Sequence, residues 1–374
     1  MKKTLLTICL VWMCFSLSAQ KIIDLSGKWS FSIDRQDNGE KEKWFSHTLN
    51  DFINLPGSMP EKLKGDEVTA KTQWTGSLYD SSYYYNPYME KYRKEGNIKF
   101  PFFLTPDKHY VGAAWYQKEV NIPADWKGER ILLFLERPHI ETTVWVNGQK
   151  TGMQNSLCVP HQYDITRYVR PGKCTITIRV DNRIKEINVG PDSHSITDQT
   201  QGNWNGIVGR ICLQTTPKTY FDDIQIYPEP EQKLARVKVV IKGTGTAKVK
   251  LSAESFNTDK KHIVPAIQQE IKLNKGVTET EMVLPMGNDM LLWDEFHPAL
   301  YKLKAEVTNG KKTEIKEIQF GMRRFEIKGK WFYVNGRKTQ LRGTVENCDF
   351  PLTGYAPMDV ESWERVFRIC RSYG

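Results

Sequence analysis

A period-two alternation of apolar and polar residues runs through most of this chain and gives way to a helical period only near its C-terminal end. In Lys28-Trp29-Ser30-Phe31-Ser32-Ile33-Asp34, the side chains of Trp29, Phe31 and Ile33 share one face, as a half-buried strand requires. Cys174-Thr175-Ile176-Thr177-Ile178-Arg179-Val180-Asp181-Asn182 alternates again and ends in turn formers. Val144-Trp145-Val146 runs into Asn147-Gly148, a pair that adopts positive φ easily and so marks a tight hairpin. Residues 20–218 therefore read as an antiparallel β-sandwich of jelly-roll type.

A second all-β unit follows over residues 219–322. Val237-Lys238-Val239, Lys248-Val249-Lys250-Leu251-Ser252-Ala253 and Tyr301-Lys302-Leu303-Lys304-Ala305-Glu306-Val307 alternate between turn-like stretches, the pattern of an immunoglobulin-like β-sandwich. Residues 323–374 change period. Thr339-Gln340-Leu341-Arg342-Gly343 reads as a short strand, and Asp359 can cap a helix that places Val360, Trp363, Val366, Phe367 and Cys370 on one face. Gly374 stands where a helix-terminating glycine belongs. Strand, loop and helix make one βα unit, read as the first of a (β/α)8 barrel cut off before its second strand. The fold class is thus mostly β: jelly roll, immunoglobulin-like sandwich, then a barrel start. Within the first sandwich, Trp74 to Tyr116 forms a long aromatic insert, whose composition argues against disorder and for a packed loop or a domain interface.

Composition excludes several function classes. The net charge of +9 is spread along the chain, with no basic run beside stacking aromatics, which argues against nucleic-acid binding. Residues 1–19 read as a signal peptide, with Lys2-Lys3 before the apolar stretch Leu5 to Leu17 and a small residue, Ala19, ahead of Gln20. The stretch is too short for a good membrane span, and Val11-Trp12-Met13 before Cys14 lacks the small residues of a lipoprotein site. A periplasmic or secreted protein without stable membrane insertion is expected. Of the seven cysteines, Cys158, Cys174, Cys212, Cys348 and Cys370 lie beyond that segment, widely spaced, and read as buried free thiols with no zinc or disulfide pattern.

Several short stretches resemble glycoside hydrolase family 2, which includes β-galactosidases, β-glucuronidases and β-mannosidases. They are Leu25-Ser26-Gly27-Lys28-Trp29, Gly112-Ala113-Ala114-Trp115-Tyr116-Gln117, Val144-Trp145-Val146-Asn147-Gly148, Asp181-Asn182, Asn205-Gly206-Ile207-Val208-Gly209-Arg210, Trp293-Asp294-Glu295-Phe296-His297-Pro298-Ala299-Leu300-Tyr301 and Phe320-Gly321-Met322-Arg323. Each is weak alone; seven in order are strong. The resemblance implies retaining hydrolysis of a terminal β-glycoside by an acid and a nucleophilic carboxylate roughly 5–5.5 Å apart, carried on later barrel strands. No catalytic residue, metal ligand or cofactor is therefore assigned within this chain, which by itself is expected to be inactive. Its partner is an oligo- or polysaccharide.

Two segments carry candidate substrate contacts. Asp198, Gln201, Asn203, Trp204 and Asn205 put carboxylate, carboxamide and indole groups into a few residues, the chemistry that reads sugar hydroxyls and packs on pyranose C–H bonds. The resemblance implies that this loop helps bind the terminal sugar. The alternative for it is an Asn/Gly-rich turn whose side chains satisfy its own backbone. Arg342, Glu346 and Asn347 lie at and just after the end of the expected first barrel strand, at the face where barrel active sites gather, and Glu346 is expected to touch substrate or a neighbouring loop without acting as nucleophile. His109 and Lys108 are weaker candidates. A non-catalytic secreted carbohydrate-binding protein is the competing function.

Overall fold

The computed structural model describes residues 20–76, 81–100, 105–157, 159–185, 193, 198, 202–343, 345–346 and 350–373. The leader-like segment 1–19, the cysteines Cys158 and Cys348, and Gly374 lie outside the described residues. The chain divides into two compact units, one of residues 21–215 together with 343–374, the other of residues 216–342. Among the described residues, no helix is long and apolar enough to cross a membrane.

The first unit is built on a jelly-roll sandwich of two antiparallel sheets. One runs Gln149–Asn155, Glu141–Val146, Gly172–Asp181, Ala113–Ile122, Gly27–Asp34 and Asp51–Leu55 in spatial order. The other runs Ile22–Asp24, Gly206–Thr216, Arg130–Pro138 and His161–Asp164. Trp29 and Phe31 point inward as the alternation requires, meeting Tyr116, Leu133, Ile176, Ile178, Val180 and Ile211 in one core. Asn147 and Gly148 take φ of 50° and 75° and join two adjacent strands by the tight turn expected of Asn-Gly.

Gly172–Asp181 is buried on both faces over most of its length, because the sheet's outer face carries a second cluster. There Trp115 stacks on Trp145 at 5.0 Å and Phe45 stacks on Trp145 at 5.2 Å, with Leu49 and Trp44 alongside. The indole of Trp115 donates to Asp34 Oδ2 at 2.9 Å, so this buried ring has its polar partner. At the end of the same strand, fully buried Asp181 accepts from Arg179 and Arg183 and pairs with Lys185. Despite burial, these cations hold its carboxyl well below the usual carboxylate range.

The second unit is an immunoglobulin-like sandwich of Tyr220–Glu229, Leu234–Phe256, Ile263–Pro285, Leu300–Asn309 and Lys312–Phe320. The 23-residue strand Leu234–Phe256 pairs with Tyr220–Glu229 along its first half and with Leu300–Asn309 along its second. Irregularities at Gly243/Gly245 and Leu251/Ala253 break the register with Ile263–Pro285. Val237, Val239, Ile241, Val249, Leu251, Tyr301, Leu303 and Val307 form its core.

After it, Phe325–Lys328, Trp331–Val334 and Arg337–Thr339 form a small three-stranded sheet. The strand expected over residues 339–343 ends at Thr339, since among the described residues nothing pairs with 340–343 and a strand needs a ladder partner. The helix Val360–Ser372 starts as expected, with Asp359 Oδ1 accepting from Ser362 N at 2.8 Å. Its apolar face is open among the described residues: Val360 and Phe367 are exposed, and so is Cys370, where a buried thiol is expected. Cys174 and Cys212 are free and buried.

Gly39 presses on the outer tryptophan cluster. A Cβ there would stand 2.5 Å from Trp115 Nε1 and 2.7 Å from Asp34 Oδ2, against a bond that cannot move aside in a packed layer. Gly39→Ala should cost about 1–3 kcal/mol, the usual range for overpacking. The check is a urea titration, in which an unchanged midpoint would contradict this packing.

Candidate functional site

The loop that ends in Gly202-Asn203-Trp204-Asn205 feeds the strand Gly206–Thr216, and the side chains of Asp198, Asn203 and Asn205 are buried. Asn205 is 1% exposed. Its Nδ2 donates to the carbonyls of Gly112 and Val180 at 2.9 and 3.0 Å, and its Oδ1 accepts from the Tyr116 hydroxyl at 2.7 Å. Its own carbonyl accepts from Met59 N. Asn203 is also buried, and its Nδ2 donates to Thr75 Oγ1 and the Asn182 carbonyl at 2.9 and 3.1 Å. Its Oδ1 lies 3.2 Å from His139 Nε2 and can only accept, so that imidazole nitrogen carries the proton. Burial pushes the His139 imidazole down to about 4.

Trp204 is sandwiched by aromatic neighbours. His139 stacks on it at 4.6 Å with planes 19° apart, and Tyr355 leans on it at 5.5 Å. Gly354, at φ 81°, packs where any Cβ would come within 2.9 Å of the Trp204 side chain. The segment around Gly354 is itself moored to the sandwich. Ser58 Oγ donates to the Thr353 carbonyl, and the Tyr355 hydroxyl donates to Glu61 Oε2 at 2.8 Å.

Asp198 is 1% exposed, and its carboxylate accepts from the backbone N–H groups of Thr75 and Asn203. His109 Nε2 stands 3.8 Å from Asp198 Oδ1, too far for a hydrogen bond. Among the described residues, that nitrogen is buried with no hydrogen-bond partner. The strand pairing Asp66↔His109 and contact with the Trp74 ring at 4.7 Å hold the imidazole in place. Asp198, His109, Tyr110, Asn203, Pro351 and Gly354 line a cavity of about 10 Å3, room for one oxygen atom such as a water or a hydroxyl.

The expected contacts therefore divide. Asp198, Asn203, Trp204 and Asn205 come together, but Asn205 spends all its polar atoms on the sandwich and Trp204 has its ring covered. Gln201 and Asn347 lie outside the described residues. Glu346 is exposed on the segment after residue 343. Arg342 belongs to the other unit, on a cleft of about 860 Å3 shared with Trp293, Phe296 and Arg337. Sequence reasoning missed His139, Thr75, Asn182 and Tyr116, which are far away in the chain. It placed His109 below the loop residues, though His109 has the open nitrogen. Among the described residues, no group of three or more His, Cys, Asp or Glu could hold a metal ion.

Residues 22–217 match the family described as glycosyl hydrolases family 2, sugar binding domain, and residues 219–323 match glycosyl hydrolases family 2. This chain belongs to glycoside hydrolase family 2. Among its family relatives, a β-glucuronidase from Paenibacillus borealis is 24% identical over 355 residues, covering 90% of this chain and 51% of that protein. A β-galactosidase large subunit from Latilactobacillus sakei is 23% identical over 350 residues, covering 91% and 52%. The solved β-glucuronidase of Ruminococcus gnavus in complex with D-glucaro-d-lactam superimposes with a TM-score of 0.64 over 94% of this chain and 53% of that one. At 19% identity, that likeness speaks for the fold. The chain spans about half the length of the relatives it matches.

Two outcomes follow from the buried network. Asn205→Ala strands the Tyr116 hydroxyl and two carbonyls, and should cost at least about 2 kcal/mol in chemical denaturation. A neutral result would mean that these groups find other partners. His139 is protonated near pH 6.5 when unfolded but only near pH 4 when folded. Its contribution is complete above pH 6.5 and declines as the pH falls toward 4, by up to about 3 kcal/mol. The stability gap between the wild type and His139→Gln should therefore move in the variant's favour between pH 7 and pH 4.5; a gap independent of pH would contradict the burial argument.

Proposed function

We propose that this chain is the sugar-recognising part of an exported glycosidase that hydrolyses terminal β-glycosidic bonds with retention. The observation that carries the reading is the Asp198–His109 cavity on a domain matching the family's sugar-binding domain. A buried carboxylate fixed by two backbone N–H groups can accept from a hydroxyl, and the imidazole beside it has a nitrogen left to bond. Together they suit one hydroxyl of a terminal sugar. Lys108, beside His109 in the cavity wall and paired with Glu67, adds a cation at the rim.

Retaining hydrolysis needs two carboxyl groups roughly 5–5.5 Å apart. Asp198 is the one carboxylate among the cavity-lining residues, and its oxygens already accept from backbone, so it serves recognition. The acid and the nucleophile are assigned to the portion of its relatives that this chain does not span. Glu346, Asn347, Gln201 and Arg342 stay as proposed substrate contacts, with Asn203 holding Asp198 in place and Trp204 and Asn205 holding the loop. Export rests on the residues 1–19 pattern.

The test pairs turnover with binding. The 374-residue chain should release no p-nitrophenol from the aryl β-glucuronide, β-galactoside or β-mannoside, while saturation-transfer NMR shows contact with at least one matching methyl glycoside. Asp198→Asn and His109→Ala should each weaken that contact by tenfold or more. Turnover by the chain would sink the assignment of the catalytic pair, and binding untouched by both variants would sink the pocket.

A further inference from the structure

The described part of the aromatic insert is packed, and it is built outward from the candidate pocket. The His109 ring lies 4.7 Å from Trp74, Trp74 5.2 Å from Phe100, Phe100 4.8 Å from Tyr83, and Tyr83 5.1 Å from Tyr84. Tyr83 is 2% exposed and its hydroxyl donates to the Tyr92 carbonyl at 2.9 Å. The same carbonyl accepts from Lys99 N, and Asn97 Nδ2 donates to the Lys91 carbonyl, so residues 91–99 are tied to the buried ring. This continuous aromatic packing makes a firm wall that begins at the imidazole of the pocket.

The anchored segment 91–99 forms one side of an open cleft of about 590 Å3, within the roughly 300–1,000 Å3 of ligand clefts. Thr69, Glu95, Asn97, Lys99 and Asp107 line it with hydroxyl, carboxylate, carboxamide and ammonium groups, a mixture that donates to and accepts from sugar hydroxyls. Pro106 lines both the cleft and the Asp198–His109 cavity, and Glu67 of the cleft pairs with Lys108 of the cavity wall. The two sites are neighbours along one stretch of backbone. Charges on the cleft nearly balance, with Glu67, Glu95 and Asp107 against Arg93 and Lys99, so its field does not favour a polyanion.

We infer that this cleft is a subsite for the following units of a neutral oligosaccharide whose terminal sugar places one hydroxyl in the Asp198–His109 cavity. The inference rests on the sugar-binding reading of that pocket and adds the substrate class: a neutral chain and not a small aryl or alkyl glycoside. The insert, on this account, selects for chain length.

Isothermal titration of the 374-residue chain tests it. The probes are the methyl β-glycosides of galactose, glucose, mannose and xylose, the matching neutral β-linked tetrasaccharides, and tetragalacturonate. At least one neutral tetrasaccharide should bind tenfold or more tighter than its methyl glycoside. Two sets of substitutions of exposed residues separate the sites: Ala70→Trp, which intrudes into the cleft, and Lys99→Ala with Asp107→Ala, which removes two of its charged groups. Each should erase the gain while leaving the methyl glycoside affinity unchanged, whereas His109→Ala should weaken both ligands. Equal affinities for monosaccharide and tetrasaccharide, a gain that survives Ala70→Trp, or a largest gain for tetragalacturonate would overturn the subsite and leave the pocket standing. No binding of any probe would overturn the subsite, and would overturn the pocket with it if the methyl β-glucuronide also failed to bind.

Discussion

The amide of Asn205 holds the loop end of the first unit in place. One planar group donates to the carbonyls of Gly112 and Val180 and accepts from the Tyr116 hydroxyl, so it joins the entry of one strand, the end of its neighbour and a core ring. Each of those partners is buried, where an unpaired polar group costs about 1–3 kcal/mol. The arrangement is thus strongly favoured over any in which the loop swings away. Asn203, two residues earlier, repeats the device against Thr75, Asn182 and His139. The position of Asp198 then follows, since the Asn203 and Thr75 N–H groups are what its carboxylate binds.

Much of the fold was legible because its cause is local. Alternation at Trp29, Phe31 and Ile33 reports a buried face, Asn147-Gly148 reports positive φ, and Asp359 reports a helix start; each needs only a few neighbouring residues. The site was legible only as chemistry. Carboxamides at 203 and 205 can read a sugar hydroxyl or a backbone carbonyl with the same atoms, and periodicity cannot say which. The deciding partners of Asn205 lie 93 and 25 residues away, at Gly112 and Val180. The bland alternative for the loop, side chains satisfying backbone, describes Asn205 well. That backbone is the neighbouring strands' and not the turn's own. The strand expected to continue to residue 343 shows the reverse limit: Leu341 has strand character, but a strand exists only where a partner offers a ladder.

Residues 343–373 group with the first sandwich, and the chemistry at their contact explains why. Gly354 meets the Trp204 side chain at a distance no side chain could share, Tyr355 adds a ring to the His139–Trp204 stack, and its hydroxyl reaches Glu61. The cavity beside Asp198 is closed on one side by Pro351 and Gly354. Two segments about 150 residues apart in sequence thus shape one small space. The sandwich supplies the polar groups, and the later segment supplies the wall that keeps water from screening them.

Among the described residues His109 Nε2 has no hydrogen bond, although several polar side chains beside it are paired. Asn203, Asn205, Asn182 and Asp198 all find partners within a few ångströms, so polar groups in this region are not short of donors and acceptors. The strand pairing at Asp66 and the contact with Trp74 hold the imidazole 3.8 Å from Asp198, just beyond a direct bond. A shift of less than an ångström would close that bond and gain a charge-assisted contact. The packing instead keeps donor and acceptor apart, across a gap that one further oxygen can bridge by accepting from one and donating to the other.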